Sequence, residues 1–373
     1  MKVYQTNEIK NIALLGSKGS GKTTLAEAML YECGVIKRRG TVEAGNTVSD
    51  SFPVEKEYGY SVFSTVFYAE FLNKKLNVID CPGADDFVGN AITALNVTDT
   101  GVILINSQYG VEVGTQNIFR TTQKLKKPVI FALNQLDGDK ADYENVIEQM
   151  REHFGNKVVI VQYPLQCGAG FNAMIDVLLM KKYSWGPDGG VPTIEEIPAD
   201  QLEHAKELHQ ALVEAAAEND ETLMDKFFEE GHLTEDEMRE GIRKGLVDRS
   251  IYPVFCVSAA KDMGVRRMME FCHFQANFLP LYQALYLIIS SYSSLLRVFV
   301  IIPKSRLPSN PLSAFVIFSG ANCLDFSVAT LESCRHCSGF SSSSRIASLA
   351  LMTSPWGTEI MEGLLRAISI GMS

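Results

Sequence analysis

Features that mark secreted, membrane-spanning or nucleic-acid-coating proteins are scarce in this chain of 373 residues. The first eight residues, MKVYQTNE, contain no apolar core of the kind that a secretory signal requires. Cys33, Cys81, Cys167 and Cys256 are scattered rather than clustered, which favours reduced thiols. The formal net charge of −10 argues against DNA as a partner and against a general nucleic-acid-coating role.

Charged residues are rare in the last 102 residues of the chain, 272–373. This segment has six Lys and Arg and four Asp and Glu, against 28 and 40 in residues 1–271. It also contains 19 serines and four of the eight cysteines, and no amphipathic period is visible. We therefore expect an irregular, hydrophobic and Ser-rich tail that is unrelated to residues 1–271.

Three interpretations of this tail stay open. Out-of-frame or chimaeric translation explains a sequence without pattern. A membrane anchor would need the apolar run 282–302, but Arg297 and four serines interrupt it, so we do not expect a membrane partner. A genuine small domain is the third. Cys334 and Cys337 resemble half of a zinc site, but no second half with suitable spacing exists, so we assign no metal there.

The most informative stretch is GSKGSGKT at 16–23, between an apolar run at 12–15 and a helix-like run at 25–30. A strand, a glycine-rich loop and a helix in this order predict a phosphate site. Lys22 would supply a charge for the β- and γ-phosphates, and Thr23 a hydroxyl for Mg²⁺. Such a loop with scattered cysteines favours a cytoplasmic protein. The predicted phosphate-binding residues are Gly16, Ser17, Lys18, Gly19, Ser20, Gly21, Lys22, Thr23 and Thr24.

Strand-like and helix-like runs alternate along residues 1–271. The strand-like runs are 11–15, 61–67, 76–79, 101–105, 128–133 and 253–257, and the helical patterns are 24–31, 88–95, 115–126 and 143–153. This order predicts an α/β fold, a P-loop domain with a mostly parallel sheet and helices on both faces. Ligands of such sheets bind at the carboxyl ends of the strands.

A helical insertion is expected at about 160–250. Its helix-like runs are 199–218, 220–230 and 234–246, and Thr234 to Glu237 has the pattern of a capping box. Residues 195–248 contain 17 acidic and five basic residues. This acidity fits either an ordinary solvated surface or an insertion that docks a partner.

Asp80 and Gly83, in the motif DCPG, follow the third strand-like run. An Asp at a strand end can bind Mg²⁺, and the Gly offers an N–H to the γ-phosphate. Ser61 is the candidate for a switch hydroxyl, although a plain serine at the start of a strand explains it as well. The predicted metal ligands are Thr23, Ser61 and Asp80.

Two motifs predict a guanine base. Asn134, Gln135 and Asp137 form NQLD after a strand, where GTPases have NKxD, and the Asp accepts from the guanine edge. The backbone of Ser258, Ala259 and Ala260 in SAAK would meet the guanine oxygen. We therefore predict GTP or GDP with Mg²⁺ as the ligands.

Together these residues carry a resemblance to elongation factor G, a translation GTPase. The segments 39–50, 109–115, 192–246 and 253–270 resemble stretches of that family, so the resemblance covers 1–271. It implies a GTP-binding domain that acts in translocation on the ribosome, through its stalk protein and large-subunit RNA. No later domain of the family is recognisable, so we expect a factor truncated after its GTPase domain.

Departures from the family pattern bear on catalysis. Ala84 stands where the family has the histidine that orients the attacking water, so no catalytic residue is intact. Gly19, Ser61 and Gln135 replace the family's Asp, Thr and Lys, and the acidic Asp85 and Asp86 would repel a γ-phosphate. We expect a paralogue that binds GTP and hydrolyses it weakly or not at all. The alternatives are a non-enzymatic GTP-dependent regulatory module, a non-functional fragment, and an ordinary GTPase with a substitute for the histidine.

Overall fold

The computed structural model describes residues 4–5, 8–187 and 189–272 in full, together with the backbone of residue 273 and of two strands at 299–303 and 314–318. The chain divides into two compact units, Met1–Ala284 and Leu285–Ser373. Each unit is described by itself.

The centre of the first unit is a seven-stranded sheet with the order β2-β3-β1-β4-β5-β11-β6. Its strands are β1 Ile9–Leu15, β2 Thr65–Phe71, β3 Lys74–Asp80, β4 Thr100–Asn106, β5 Val129–Asn134, β6 Val158–Ile160 and β11 Tyr252–Cys256. All neighbours are parallel except β2, which runs antiparallel to β3 at one edge. Every residue of β1, β4 and β5 is buried, as expected for strands covered on both faces. The predicted α/β fold with a mostly parallel sheet is confirmed.

Helices follow most of these strands. They are α1 Lys22–Glu32, α2 Pro53–Tyr58, α3 Val88–Val97, α4 Val113–Lys124, α5 Tyr143–Phe154, α6 Leu202–Ala217, α7 Glu221–Glu230, α8 Glu235–Asp248 and α9 Val265–His273. The helical patterns in the sequence correspond to α1 and α3–α8. The capping box of α8 is present, since the Thr234 hydroxyl accepts from Glu237 N and the Glu237 carboxylate accepts from Thr234 N. The short helix α2 was not predicted; it begins at a proline and is followed by Gly59, whose φ is 67°.

The second strand-like run was predicted at 61–67, but β2 begins only at Thr65. The reason lies in the loop before it. The Glu55 carboxylate accepts hydrogen bonds from the backbone of Val62 and Phe63, at 3.1 and 3.0 Å. These N–H groups are therefore not available for a sheet ladder, and Ser61 lies in the loop rather than at the start of a strand.

The insertion contains the three predicted helices α6–α8 and also a four-stranded antiparallel sheet with the order β10-β9-β8-β7. Its strands are β7 Gln162–Pro164, β8 Ala173–Asp176, β9 Lys181–Ser184 and β10 Thr193–Glu195. A buried ion pair ties this sheet to α9, because Arg267 Nε donates to Asp176 Oδ2 at 2.7 Å. Gln162 extends the network by donating to the same oxygen at 3.2 Å.

Within the second unit, the strands β12 Phe299–Pro303 and β13 Ala314–Phe318 pair antiparallel, with Phe299 opposite Phe318. The tail was predicted to be irregular, and the structure differs at these two apolar segments, which are rich in residues that favour strands. The half zinc site at Cys334 and Cys337 lies outside the described residues, as does most of the apolar run 282–302. Among the helices that the structure describes, none is long and apolar enough to cross a membrane.

Candidate nucleotide site

The glycine-rich loop connects β1 to α1 at the carboxyl edge of the parallel sheet. Inside it, Lys22 Nζ donates to the carbonyl oxygens of Gly16 and Ser17, at 3.1 and 2.9 Å. Lys22 is buried, and this burial lowers the pKa of its ammonium. A loop that wraps its carbonyls around a buried lysine leaves backbone N–H groups for an anion, and the N-terminus of α1 adds positive potential.

Glycine is required where the loop meets its neighbours. Gly21 has a φ of 89°, and a Cβ there would lie 2.2 Å from Asn134 Nδ2. In the same loop, the Ser17 hydroxyl shares a hydrogen bond of 2.9 Å with Thr115 Oγ1 at the start of α4. Thr24 is half-buried in the first turn of α1, while Lys18 and Gly19 are exposed at the tip of the loop.

Gly83 lies directly against this loop. A Cβ on Gly83 would come within 2.2 Å of Lys22 Nζ and 2.8 Å of the Lys18 backbone nitrogen. The structure thus brings the DCPG motif and the phosphate loop together, with the Lys22 ammonium between them.

The three predicted metal ligands form one cluster. Thr23 Oγ1 donates to Asp80 Oδ2 at 2.9 Å and lies 3.1 Å from Ser61 Oγ. A fourth residue, which the sequence analysis missed, completes it: Ser61 Oγ donates to Asp50 Oδ1 at 2.7 Å. Asp50 is the last residue of the segment 39–50 that resembles the family, but no role in metal binding was predicted for it from the sequence.

This cluster has the donor set that Mg²⁺ prefers. It consists of two carboxylates and two hydroxyls, all hard oxygen ligands. Asp80 Oδ1 and Asp50 Oδ2 are buried and have no hydrogen-bond partner within 3.5 Å among the residues that the structure describes, so both oxygens would be satisfied by a cation or its bound water. Burial raises the pKa of Asp80 to about 6, against the opposing effect of Lys22. Thr23, Ser61 and Asp80 therefore fit a magnesium ion, with Asp50 in support.

Ala84 lies where the chain leaves Gly83 and enters a short 3-10 helix, Asp85–Phe87. Its methyl group can neither accept nor donate a hydrogen bond, and its carbonyl is used by Phe87 N at 3.0 Å. The next residue, Asp85, is exposed and directs its carboxylate to Gly114, since a Cβ there would be 3.0 Å from Asp85 Oδ1. Neither side chain offers the imidazole that the family's histidine would supply.

The two base motifs meet at the ends of β5 and β11. Ser258 Oγ donates to Asp137 Oδ1 at 2.7 Å, and Ala259 N donates to Asn134 Oδ1 at 3.0 Å. Asn134 Nδ2 in turn donates to the carbonyl of Ser20 in the phosphate loop at 2.8 Å. The second oxygen of Asp137 lies 3.8 Å from Lys261 Nζ. The Asp137 carboxylate is thereby fixed in orientation, while Ala260 is exposed beside it.

Gln135 bridges two parts of the site. Its Nε2 donates to Gly19 O at 2.9 Å, and its Oε1 accepts from Asn106 Nδ2 at 2.8 Å. Its backbone φ is 63°, which is uncommon for a residue other than glycine. A lysine could make the first of these bonds but not the second, because an ammonium has no acceptor.

The segment 39–50, which resembles the family's early switch I segment, contacts the base motif at its first residue. Arg39 Nη1 donates to Ala259 O at 2.9 Å. The segment is also held to α1, where the buried Glu27 carboxylate accepts from Gly40 N at 2.7 Å. Asp262 is buried near Arg39 and Glu32. Its burial and the negative charge of Glu32 raise the pKa of Asp262 to about 7.

Comparison with known families identifies the family of this chain. A family model described as the elongation factor Tu GTP binding domain matches residues 7–280. The match extends past the composition change at 271, and that boundary stays a prediction.

One solved structure is similar to this chain at 30% sequence identity with a TM-score of 0.68, the crystal structure of ttk003000868 from Thermus thermophilus. The match covers 72% of this chain and 40% of that one. This chain therefore spans less than half of the length of the protein it matches.

Proposed function

Since the chain belongs to the elongation factor Tu GTP-binding domain family, we propose that it is an elongation factor G-like protein of the ribosome. In this proposal it binds GTP and GDP with Mg²⁺, acts in translocation and hydrolyses GTP weakly. Weak hydrolysis is proposed because Ala84, which follows Gly83 at the γ-phosphate end of the site, has no polar side chain. The loss of one positioned group at a transition state typically costs about a hundredfold to a thousandfold in rate.

The site residues have separate roles in this proposal. Gly16 to Thr24, with Gly83, would surround the phosphates, because Gly83 packs on the loop at Lys22. Thr23, Ser61 and Asp80 would hold Mg²⁺, and the ion would neutralise charge between the β- and γ-phosphates. Asn134, Gln135 and Asp137 would hold the guanine, together with the loop formed by Ser258, Ala259 and Ala260.

The partners follow from the family resemblance rather than from a contact in the molecule. The ribosomal stalk protein and large-subunit RNA are the proposed partners, and a ribosome partner places the protein in the cytoplasm. The acidic insertion, with its exposed helix α7, offers a surface for a basic partner.

A co-sedimentation experiment tests this proposal. The full chain is centrifuged through sucrose with ribosomes and either a non-hydrolysable GTP analogue or GDP. We expect the protein in the ribosomal pellet with the analogue and in the supernatant with GDP. An Asp137→Asn variant, which should bind neither nucleotide well, is the control and should stay in the supernatant.

A second candidate function is a GTP-dependent regulatory module that binds another partner. The acidity of residues 195–248 favours it. If the wild-type chain binds GTP tightly but does not sediment with ribosomes, this candidate replaces the first.

A further inference from the structure

We propose that Lys18 binds the γ-phosphate of GTP and that the Tyr60 ring holds the Lys18 ammonium beside it, so that the site prefers GTP over GDP. This inference rests on the proposed binding of GTP at this site. It adds a ligand residue and a reason for a long-lived GTP-bound state.

Lys18 lies at the part of the phosphate loop that packs against Gly83. The Lys18 backbone nitrogen and the Lys22 ammonium both lie against Gly83, at 2.8 and 2.2 Å from the place of a Cβ on that glycine. Lys22 is the residue that reaches the β- and γ-phosphates in loops of this type. Lys18 therefore starts from the γ-phosphate end of the site, and its flexible four-carbon stem can bring the ammonium to that phosphate.

The Lys18 ammonium contacts the ring of Tyr60. Lys18 Nζ lies over the Tyr60 ring, 3.6 Å from its centroid, which is a favourable cation–π geometry. Lys18 is exposed, so without a partner its side chain would sample many rotamers. The aromatic ring restricts this freedom and lowers the entropic cost of placing the ammonium beside a phosphate.

The residue that follows Tyr60 holds this part of the chain in place. Tyr60 precedes Ser61, whose hydroxyl bonds to Asp50 and lies beside Thr23. The backbone at Tyr60 is thus held next to the proposed magnesium site, and its ring centroid lies 6.0 Å from that of Tyr58. The contact joins the phosphate loop to the loop that contains Ser61 through side chains, in addition to the hydroxyls of the metal cluster.

The charge of the Lys18 ammonium favours a nucleotide with a γ-phosphate. Among the described residues, no carboxylate lies within 4.0 Å of the Lys18 ammonium, so its charge is not neutralised by an ion pair. GTP offers a γ-phosphate to this charge and GDP does not. Because Ala84 cannot hold a water molecule, the extra charge should strengthen binding of GTP without restoring the lost step of hydrolysis.

The test measures the affinity of the full chain for a fluorescent, non-hydrolysable GTP analogue and for the matching GDP derivative, with Mg²⁺ present. The variants are Lys18→Met and Lys18→Gln, which remove the charge, and Lys18→Arg, which keeps it. Tyr60→Phe keeps the ring and Tyr60→Leu removes it. Lys206→Met removes one exposed charge from α6 in the insertion and is the matched control.

We expect Lys18→Met and Lys18→Gln to lower the ratio of GTP-analogue to GDP affinity by about tenfold or more, the value of one charge-assisted contact. Lys18→Arg, Tyr60→Phe and Lys206→Met should keep the wild-type ratio, and Tyr60→Leu should lower it by about threefold. An unchanged ratio in both neutral Lys18 variants, including a parallel loss of both nucleotides, would overturn the inference and leave the proposed function intact. A wild-type chain that binds neither nucleotide would overturn the proposed function itself.

Discussion

Ser258 donates a hydrogen bond of 2.7 Å to Asp137 across 121 residues of sequence, and so fixes the carboxylate that faces the proposed guanine base. One oxygen of Asp137 is occupied by this hydroxyl, and the other lies 3.8 Å from the Lys261 ammonium. The carboxylate is oriented by its neighbours before any ligand binds. Such preorganisation lowers the entropic cost of recognition.

The first prediction concerns this carboxylate. Asp137→Asn replaces an acceptor with a donor that would face the donors of the guanine edge, so the affinity for GDP should fall about a hundredfold or more. Fluorescence titration with a labelled GDP measures it. The control is Asp139→Asn, two residues away and exposed, which should bind as the wild type does. Equal affinities in the two variants would contradict the assignment of the base site.

The second prediction concerns Asp50. Its hydrogen bond to Ser61 orients a proposed Mg²⁺ ligand, and removal of such a supporting residue typically costs about tenfold to a hundredfold in metal affinity. Asp50→Ala should therefore raise the Mg²⁺ concentration needed for half-maximal binding of GTP by about this factor. A titration of Mg²⁺ at fixed GTP measures it, with Asp225→Ala, an exposed residue of α7, as control. A normal Mg²⁺ requirement in Asp50→Ala would remove this residue from the site.

The third prediction concerns stability. Arg267→Met leaves the Asp176 carboxylate buried without its cation, and we expect the free energy of unfolding to fall by about 3–5 kcal/mol. Urea denaturation followed by circular dichroism measures the change. Lys226→Met removes one partner of an ion pair on the surface of the insertion and should leave the midpoint nearly unchanged. A similar small effect of Arg267→Met would mean that the pair is dispensable.

The fourth prediction is a dependence of stability on pH. Burial and the nearby Glu32 raise the pKa of Asp262 to about 7, against the opposing charge of Arg39. Between about pH 4 and about pH 7 the folded chain therefore holds a proton that the unfolded chain has released, and the free energy of unfolding should fall as the pH rises through this window.

Denaturation curves at several pH values measure this slope. Asp262→Asn removes the titrating group, and asparagine tolerates the left-handed backbone at this position, where φ is 58°. The variant should show a flatter dependence across the same window. An identical slope in wild type and variant would assign the dependence to other groups.

The motifs of the site could be predicted because each is short and follows a strand. Asn106 of β4 lies opposite Asn134 of β5 in the register of the sheet, so residues at these strand ends must share one edge. A parallel sheet therefore converts separate motifs into one site. This is why Lys22, Asp80 and Asn134 could be placed together from the sequence.

Other parts depend on contacts that the sequence does not mark. Asp50 joins the metal cluster because Ser61 folds back on it, and nothing near Asp50 predicts this. Gln135 was identified from the sequence only as a base-site residue that replaces the family's Lys, whereas its amide bridges Gly19 and Asn106 through two hydrogen bonds. The strands β7–β10 have only three or four residues each, which is too short for an alternating pattern to be recognised.

The most direct test of the account is the rate of GTP hydrolysis by the full chain under single-turnover conditions, with and without ribosomes, for wild type and Ala84→His. We expect slow hydrolysis by the wild type in both conditions and a ribosome-dependent increase of about tenfold or more in Ala84→His, as a water-positioning group is restored. Rapid ribosome-stimulated hydrolysis by the wild type would contradict the account, because another group would then be replacing the histidine.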